Sequence, residues 1–452
     1  MRHIINFLIL IIFSSSLFSQ EYKIEGTITG AQERQVFLIG YDHGEQQIID
    51  TTMTDQSGYF VFELPEDARP GMYDIFAGQD TFFEFVFNNE NIRFITTGST
   101  KNDKITFVES EENKVYYDYI YTKTDNIYKI NLLNPLIRQY PKDDPFHGTL
   151  INQYLKLAGQ IDSVVASNAN EHPGFLSVKY MKSDKPAIPP PGLTERQETE
   201  WLKKHFLDNV DFSDTALINS SILSSKVVAY LQLFQSGSTT QQDAEDAMKP
   251  ALDTLLEKAT LNGKVYGWLM EYLVGGFETV GFDDLLIYLN DKEAADNICE
   301  DETRKEVMNK LQLAKNLAIG ASAPEIKAKD LNGNPFDLDN LKADKTVLVF
   351  WASWCPHCIK EALPVLKKMY EENKGKFEVV AISVDDDIKD AKNAVTDHGY
   401  EWITIAEGKG WDGDIPLEYG ISGTPTFFVL DKDKKIIAKP KNVESLKSIL
   451  GL

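Results

Sequence analysis

The feature that most constrains this chain is a pair of cysteines, Cys355 and Cys358, set between two patterned runs. Before them stands an apolar stretch, Thr346-Val347-Leu348-Val349-Phe350. After them comes a helical pattern, Ile359-Lys360-Glu361-Ala362-Leu363-Pro364-Val365-Leu366. Strand, Cys-x-x-Cys and helix is the layout a redox dithiol needs. Cys355 falls at the helix N-terminus, where free N–H groups and the helix dipole favour an anion. A thiolate is that anion, so the spacing predicts a lowered pKa and a nucleophilic sulfur. Cys358 lies one turn deeper, within disulfide reach. The same spacing could serve half a zinc site or an inert structural disulfide. Zinc needs two further ligands at matching spacing. The chain holds 3 cysteines, and the third, Cys299, stands alone among acidic neighbours that should dull its reactivity. His147, His172 and His205 are scattered without metal spacing. No metal and no cofactor is expected; thiol–disulfide exchange is the chemistry indicated.

The run Trp351-Ala352-Ser353-Trp354-Cys355-Pro356-His357-Cys358, followed by Gly423-Thr424-Pro425-Thr426-Phe427-Phe428-Val429-Leu430, resembles the thioredoxin superfamily. More narrowly, it is similar to the TlpA/ResA-like thiol–disulfide oxidoreductases. The resemblance covers about residues 317–452. It implies that Cys355 is the attacking nucleophile and Cys358 the resolving thiol. It implies that Pro425 is a cis-proline facing the dithiol, with Thr424 before it and Trp354 flanking the substrate. Pro356 and His357 would tune Cys355. Glu361 matches an acid of the active-site helix that would influence proton transfer at the buried thiol, although Pro364 follows it by three residues where the family usually has two. Thioredoxin itself carries a buried Asp six residues before the first cysteine. Val349 stands there, which favours the TlpA-like branch.

The rest of the chain reads as a multidomain protein. Residues 1–19 read as a signal peptide: Arg2 and His3, an apolar core of about ten residues that is too short to span a bilayer, then small residues for cleavage. That predicts export to the periplasm or cell envelope, where disulfides persist. Residues 20–110 show short alternating strands with turn signals, the pattern of a β-sandwich. Residues 111–316 read as an α-helical domain, with Pro189-Pro190-Pro191 as a rigid connector and Thr194-Glu195-Arg196-Gln197 as a capping box. Tyr116, Tyr117, Tyr119 and Tyr121 read as packing on a helix. Residues 317–452 read as a thioredoxin-like α/β domain, opened by a hairpin at Asn332-Gly333.

A net charge of −23 argues against nucleic-acid binding, which needs a basic footprint. The expected partners are protein thiols and disulfides, and a membrane electron donor. The sequence leaves the oligomeric state open. Direction of electron flow is also open: Pro356-His357 is the dipeptide of DsbA-like oxidants, while the surrounding module resembles reductants. The gap between those extremes is about 150 mV, or ~7 kcal/mol. Reduction of extracytoplasmic disulfides is the expectation. The alternatives are a disulfide oxidant or isomerase, and a binding or assembly factor with a minor redox role.

Overall fold

The computed structural model describes residues 22–42, 45–78, 82–97, 105–235, 237–293 and 302–452. The expected signal segment 1–19 and Cys299 lie outside the described residues. The chain divides into two compact units, Met1–Gly237 with Pro250–Leu269, and Ser238–Lys249 with Met270–Leu452.

The first unit begins with eight strands: β1 Tyr22–Ile28, β2 Gln35–Asp42, β3 Glu45–Met53, β4 Tyr59–Leu64, β5 Gly71–Phe76, β6 Phe82–Phe87, β7 Ile92–Thr96 and β8 Thr106–Glu109. They form two four-stranded sheets, ordered β4-β1-β7-β8 and β3-β2-β5-β6. Alternation drives them: Ile24, Phe60, Phe62, Phe85 and Phe94 turn inward and are buried. Rings reach from one sheet to the other, Phe83 on Phe94 at 4.9 Å and Tyr22 on Phe87 at 5.3 Å. Gly26 in β1 is covered by rings, since a Cβ there would lie 2.3 Å from Phe60 and 2.6 Å from Phe94.

Helices α1 Glu111–Gln139, α2 Pro145–Glu171, α3 Leu176–Asp184, α4 Glu195–His205 and α5 Ser221–Gln235 follow. Ser110 caps α1 by accepting from the Asn113 N–H, and the Thr194/Gln197 capping box opens α4. The tyrosines of α1 do pack: Tyr116 and Tyr119 are fully buried. Glu84 of β6 ties sheet to helices, accepting from the Tyr116 hydroxyl at 2.9 Å and the Ser221 hydroxyl at 2.8 Å. Helices α6 Gln241–Ala259 and α7 Gly263–Val280 contribute residues to both units.

The second unit continues with α8 Asp283–Glu293 and α9 Glu302–Asn316, then β9 Lys327–Lys329 and β10 Pro335–Asp337. There follow β11 Lys345–Trp351, α10 Leu363–Glu372, β12 Glu378–Ser383, α11 Ile388–His398, β13 Ile403–Ala406, α12 Asp414–Glu418, β14 Thr426–Asp431, β15 Ile436–Ala438 and α13 Val443–Leu450. Asn332-Gly333 does join a hairpin, β9 with β10. The main sheet has the order β13-β12-β11-β14-β15. β11 is central because it is apolar on both faces, Val347 to Trp351 being fully buried. One face packs Val347, Val349 and Trp351 with α10 and α13, and the other packs Leu348 and Phe350 with Tyr419 and Phe428. Each such side chain contributes on the order of 1.5–3 kcal/mol by leaving water. The short apolar segment of β13 and the brief α12 carry too few residues for periodicity to reveal, and the sequence reading missed both.

Gly26→Ala should destabilise the two-sheet region by about 1–3 kcal/mol through overpacking against Phe60 and Phe94. An unchanged denaturation midpoint would refute that packing.

Candidate active site

Four loops meet at one edge of the five-stranded sheet. β11 and β12 are parallel and end side by side, Trp351 opposite Ser383. β13 ends with them, Ala406 opposite Ser383. β14 is antiparallel to β11 and begins there, Thr426 opposite Phe350. The crevice outside the carboxyl ends of parallel strands is where open α/β sheets bind their ligands.

The loop after β11 carries the dithiol. Cys355 is 6% exposed and Cys358 0%, and their thiols are unbridged. The Cys355 carbonyl accepts from the Cys358 and Ile359 N–H groups at 3.1 Å. The helix then opens as one π turn, His357–Ala362, in which the Leu363 N–H reaches back to the Cys358 carbonyl. Pro364, with no N–H of its own, cannot close the α-helical bond that would fall at Lys360. The Thr424–Pro425 bond is cis, and the Cys355 thiol donates to the Thr424 carbonyl at 3.4 Å.

The two thiols sit in opposed electrostatic environments. Burial opposes ionisation of Cys355, but hydrogen bonds with the Thr424 side chain, with the Cys358 side chain and with the Cys358 and His357 N–H groups outweigh it and hold its pKa below the ordinary thiol value. Burial pushes Cys358 up to about 12. The arrangement provides one ready nucleophile and one thiol held in reserve on the same turn.

Of the other residues singled out from sequence, Thr424 and Pro425 are brought to Cys355. Pro356, His357 and Trp354 are exposed around it. Trp354 lies edge-on to Trp411, ring centroids 6.2 Å apart. The structure does not bring Glu361 to Cys358. Glu361 accepts from His357 Nδ1 at 3.1 Å, and both side chains are about 70% in solvent, at 69% and 72%.

Sequence reasoning missed Asp385. Its buried carboxylate accepts from the Ser353 N–H at 3.0 Å, the Ser353 hydroxyl at 2.6 Å and the Ser383 hydroxyl at 2.6 Å. Its own carbonyl accepts from the Gly410 N–H at 3.4 Å. Asp385 thus fastens the loop before Cys355 to the end of β12. Gly410 adopts φ +60°, and a Cβ there would lie 2.2 Å from Asp386 Oδ1. The only signal in the sequence was an acidic run, Asp385-Asp386-Asp387, directly after an apolar strand. Among the described residues no group of three or more metal-ligating side chains occurs.

Comparison with known proteins bears on the same region. Residues 318–449 match the Redoxin family, and residues 22–116 and 158–273 match two domains of unknown function, DUF4369 and DUF5106. The chain is 33% identical over 130 residues to the thiol-disulfide oxidoreductase ResA of Bacillus thuringiensis subsp. konkukian, covering 28% of this chain and 73% of that protein. It is 27% identical over 139 residues to the thioredoxin-like protein YneN of Bacillus subtilis, covering 30% of this chain and 74% of that one. A crystal structure of a thioredoxin-like protein from Bacteroides caccae aligns over 59% of this chain and 96% of its own, with 22% identity and a TM-score of 0.44.

Two outcomes are expected. Thiolate absorbance should rise in two separate steps, Cys355 below the ordinary thiol range and Cys358 near pH 12; a single shared step would refute the asymmetry. Asp385→Ala should cost about 2–4 kcal/mol of stability, because it strands the buried Ser383 hydroxyl and the part-buried Ser353 N–H and hydroxyl. A loss under about 0.5 kcal/mol in denaturant unfolding would refute the tether.

Proposed function

The chain belongs to the TlpA/ResA-like thiol–disulfide oxidoreductases of the thioredoxin superfamily, and from that premise we propose that it reduces protein disulfides outside the cytoplasm. The Cys355 thiolate attacks one sulfur of a substrate disulfide. That S–S bond breaks, a mixed disulfide forms on Cys355, and the released substrate sulfur takes a proton. Cys358 then attacks Cys355, the second substrate thiol leaves, and the protein retains a Cys355–Cys358 disulfide. Two electrons have passed to the substrate, and a dithiol donor at the membrane restores the reduced protein. The observation that carries the reading is the placing of two unbridged thiols on one turn beside the cis Thr424–Pro425 bond, with Cys355 favoured toward the thiolate and Cys358 held as a thiol by burial.

Roles follow from position. Thr424 and the cis Pro425 line the face on which a substrate strand rests, Trp354 and Pro356 flank it, and His357 with Glu361 forms a polar rim. The family matches at 22–116, 158–273 and 318–449 support a division into a β-sandwich domain at 20–110, a helical domain at 111–316 and the thioredoxin-like domain at 317–452. The Met1–Ser19 sequence supports export to the periplasm or envelope. Among the described residues no helix is long and apolar enough to cross a membrane.

The specific observation behind the oxidant or isomerase reading is the stabilised Cys355 thiolate, since whatever favours the thiolate favours the reduced form and raises the potential. Only one of the two thiols gains in this way, which supports the reductant. The reduction potential of the couple, measured against glutathione or dithiothreitol buffers, should fall near that of thioredoxin, about −270 mV. A value near −120 mV would overturn the reductant reading in favour of an oxidant. Cys358→Ser should trap substrates on Cys355 as mixed disulfides.

A further inference from the structure

Resolving a mixed disulfide requires Cys358, a fully buried thiol, to give up its proton. Few groups are placed to help. Val349 is apolar and buried. His357 and Glu361 pair with one another in solvent. Asp385 is committed to Ser353 and Ser383. α13 brings the apolar Val443, Leu446, Ile449 and Leu450 to this core. Cys355 and Thr424 face Cys358 on the substrate side, and the Ala352 backbone meets it from the loop before; Ala352 and Thr424 favour its thiolate, but burial outweighs both.

The remaining group is Tyr400, which follows α11 and packs in the same cluster as both cysteines. Its ring stacks on Trp402 at 4.8 Å and on His398 at 5.6 Å, and meets Trp351 edge-on at 6.3 Å. Its hydroxyl oxygen is buried and has no hydrogen-bond partner among the described residues. The same holds for the Nε1 atoms of Trp351 and Trp402. Buried polar atoms left unpaired are costly and uncommon, and a catalytic role is one reason to keep them.

We propose that the Tyr400 hydroxyl, acting through one ordered water, is the hydrogen-bond donor that stabilises Cys358 as a thiolate while the mixed disulfide on Cys355 is resolved. This rests on the exchange reading above. In the step, Cys358 loses its proton and its sulfur attacks Cys355. The Cys355–substrate bond breaks, the Cys355–Cys358 bond forms, and the departing substrate thiolate takes up a proton. Tyr400 keeps its own proton throughout. Burial, and then the charge of Cys358, raises the Tyr400 phenol to about 12, so it remains a donor at neutral pH. The unpartnered Nε1 atoms of Trp351 and Trp402 are donors as well and suit a bridging water.

The test uses full-length reduced protein carrying Cys299→Ser, so that only the dithiol reacts, and 5,5′-dithiobis(2-nitrobenzoate) in a stopped-flow mixer. The first thionitrobenzoate release reports attack by Cys355, and the second reports resolution by Cys358. Tyr400→Phe keeps the ring stack and removes only the hydroxyl. It should leave the first phase unchanged, slow the second by about tenfold or more, and move the pH midpoint of the second phase upward. An unchanged second phase overturns the proposal. Equal slowing of both phases also overturns it, by making Tyr400 a structural residue. Absence of a second release from the protein that keeps Tyr400 would instead sink the exchange reading itself.

Discussion

The site depends on the pairing of β11 along both of its edges. The parallel bond ladder to β12 sets Ser383 beside Trp351, and the antiparallel ladder to β14 sets Thr426 beside Phe350. A slip of one residue in either register would turn Val347, Val349 and Trp351 to the wrong face. It would also carry Pro425 away from Cys355. Because both faces of β11 are apolar and buried, its register is held by the fit of Val347, Val349 and Trp351 with α10 and α13 on one face and of Leu348 and Phe350 with Tyr419 and Phe428 on the other.

On that frame, asymmetry between two chemically identical thiols arises from small differences in surroundings. Both are buried. One has N–H groups and Thr424 directed at it, and these outweigh the cost of desolvation. The other is packed deeper, and desolvation dominates. Bonds from the Cys358 and Ile359 N–H groups to the Cys355 carbonyl set the two cysteines on one turn, and the π turn that follows accommodates Pro364 by returning the Leu363 N–H to the Cys358 carbonyl. Asp385 adds rigidity: the loop before the nucleophile is fastened by a buried carboxylate that spends its lone pairs on three donors. Such a tether suits a reaction in which sulfur must approach sulfur along a narrow path.

The first unit is held differently. Its two sheets share aromatic contacts, and polar groups within it are paired across elements. Glu84 joins β6 to α1 and α5, and Asp74, its cross-strand neighbour, accepts from Tyr41 at 2.9 Å and Gln46 at 2.8 Å. Burial raises the Asp74 carboxyl to about 6. Because that value lies above the unfolded one, its contribution favours folding at low pH and is lost as pH rises through about 6.

The sequence by itself determined the chemistry. A Cys-x-x-Cys between an apolar strand and a helix names the reacting atoms, and a distant Thr-Pro before another apolar strand names their neighbour. Both are local signals, carried by residue type and short spacing. The alternation of β1 to β8, the Thr194/Gln197 cap and the Asn332-Gly333 hairpin were legible for the same reason. Only the tertiary structure decided which surrounding side chains lie beside the dithiol. Glu361 matched a motif position, yet its place on the helix turns it to solvent with His357. Asp385, Tyr400 and Trp411 each lie at least 27 residues beyond Cys358 in sequence; Asp385 and Trp411 follow the ends of β12 and β13, while Tyr400 precedes β13 and joins the cluster through its ring contacts with Trp351 and Trp402. No local pattern distinguishes Asp385 from Asp386 and Asp387. The first is buried beneath Ser353 and the second is exposed beside Gly410, a difference set by strand register, which depends on contacts between residues far apart in the chain.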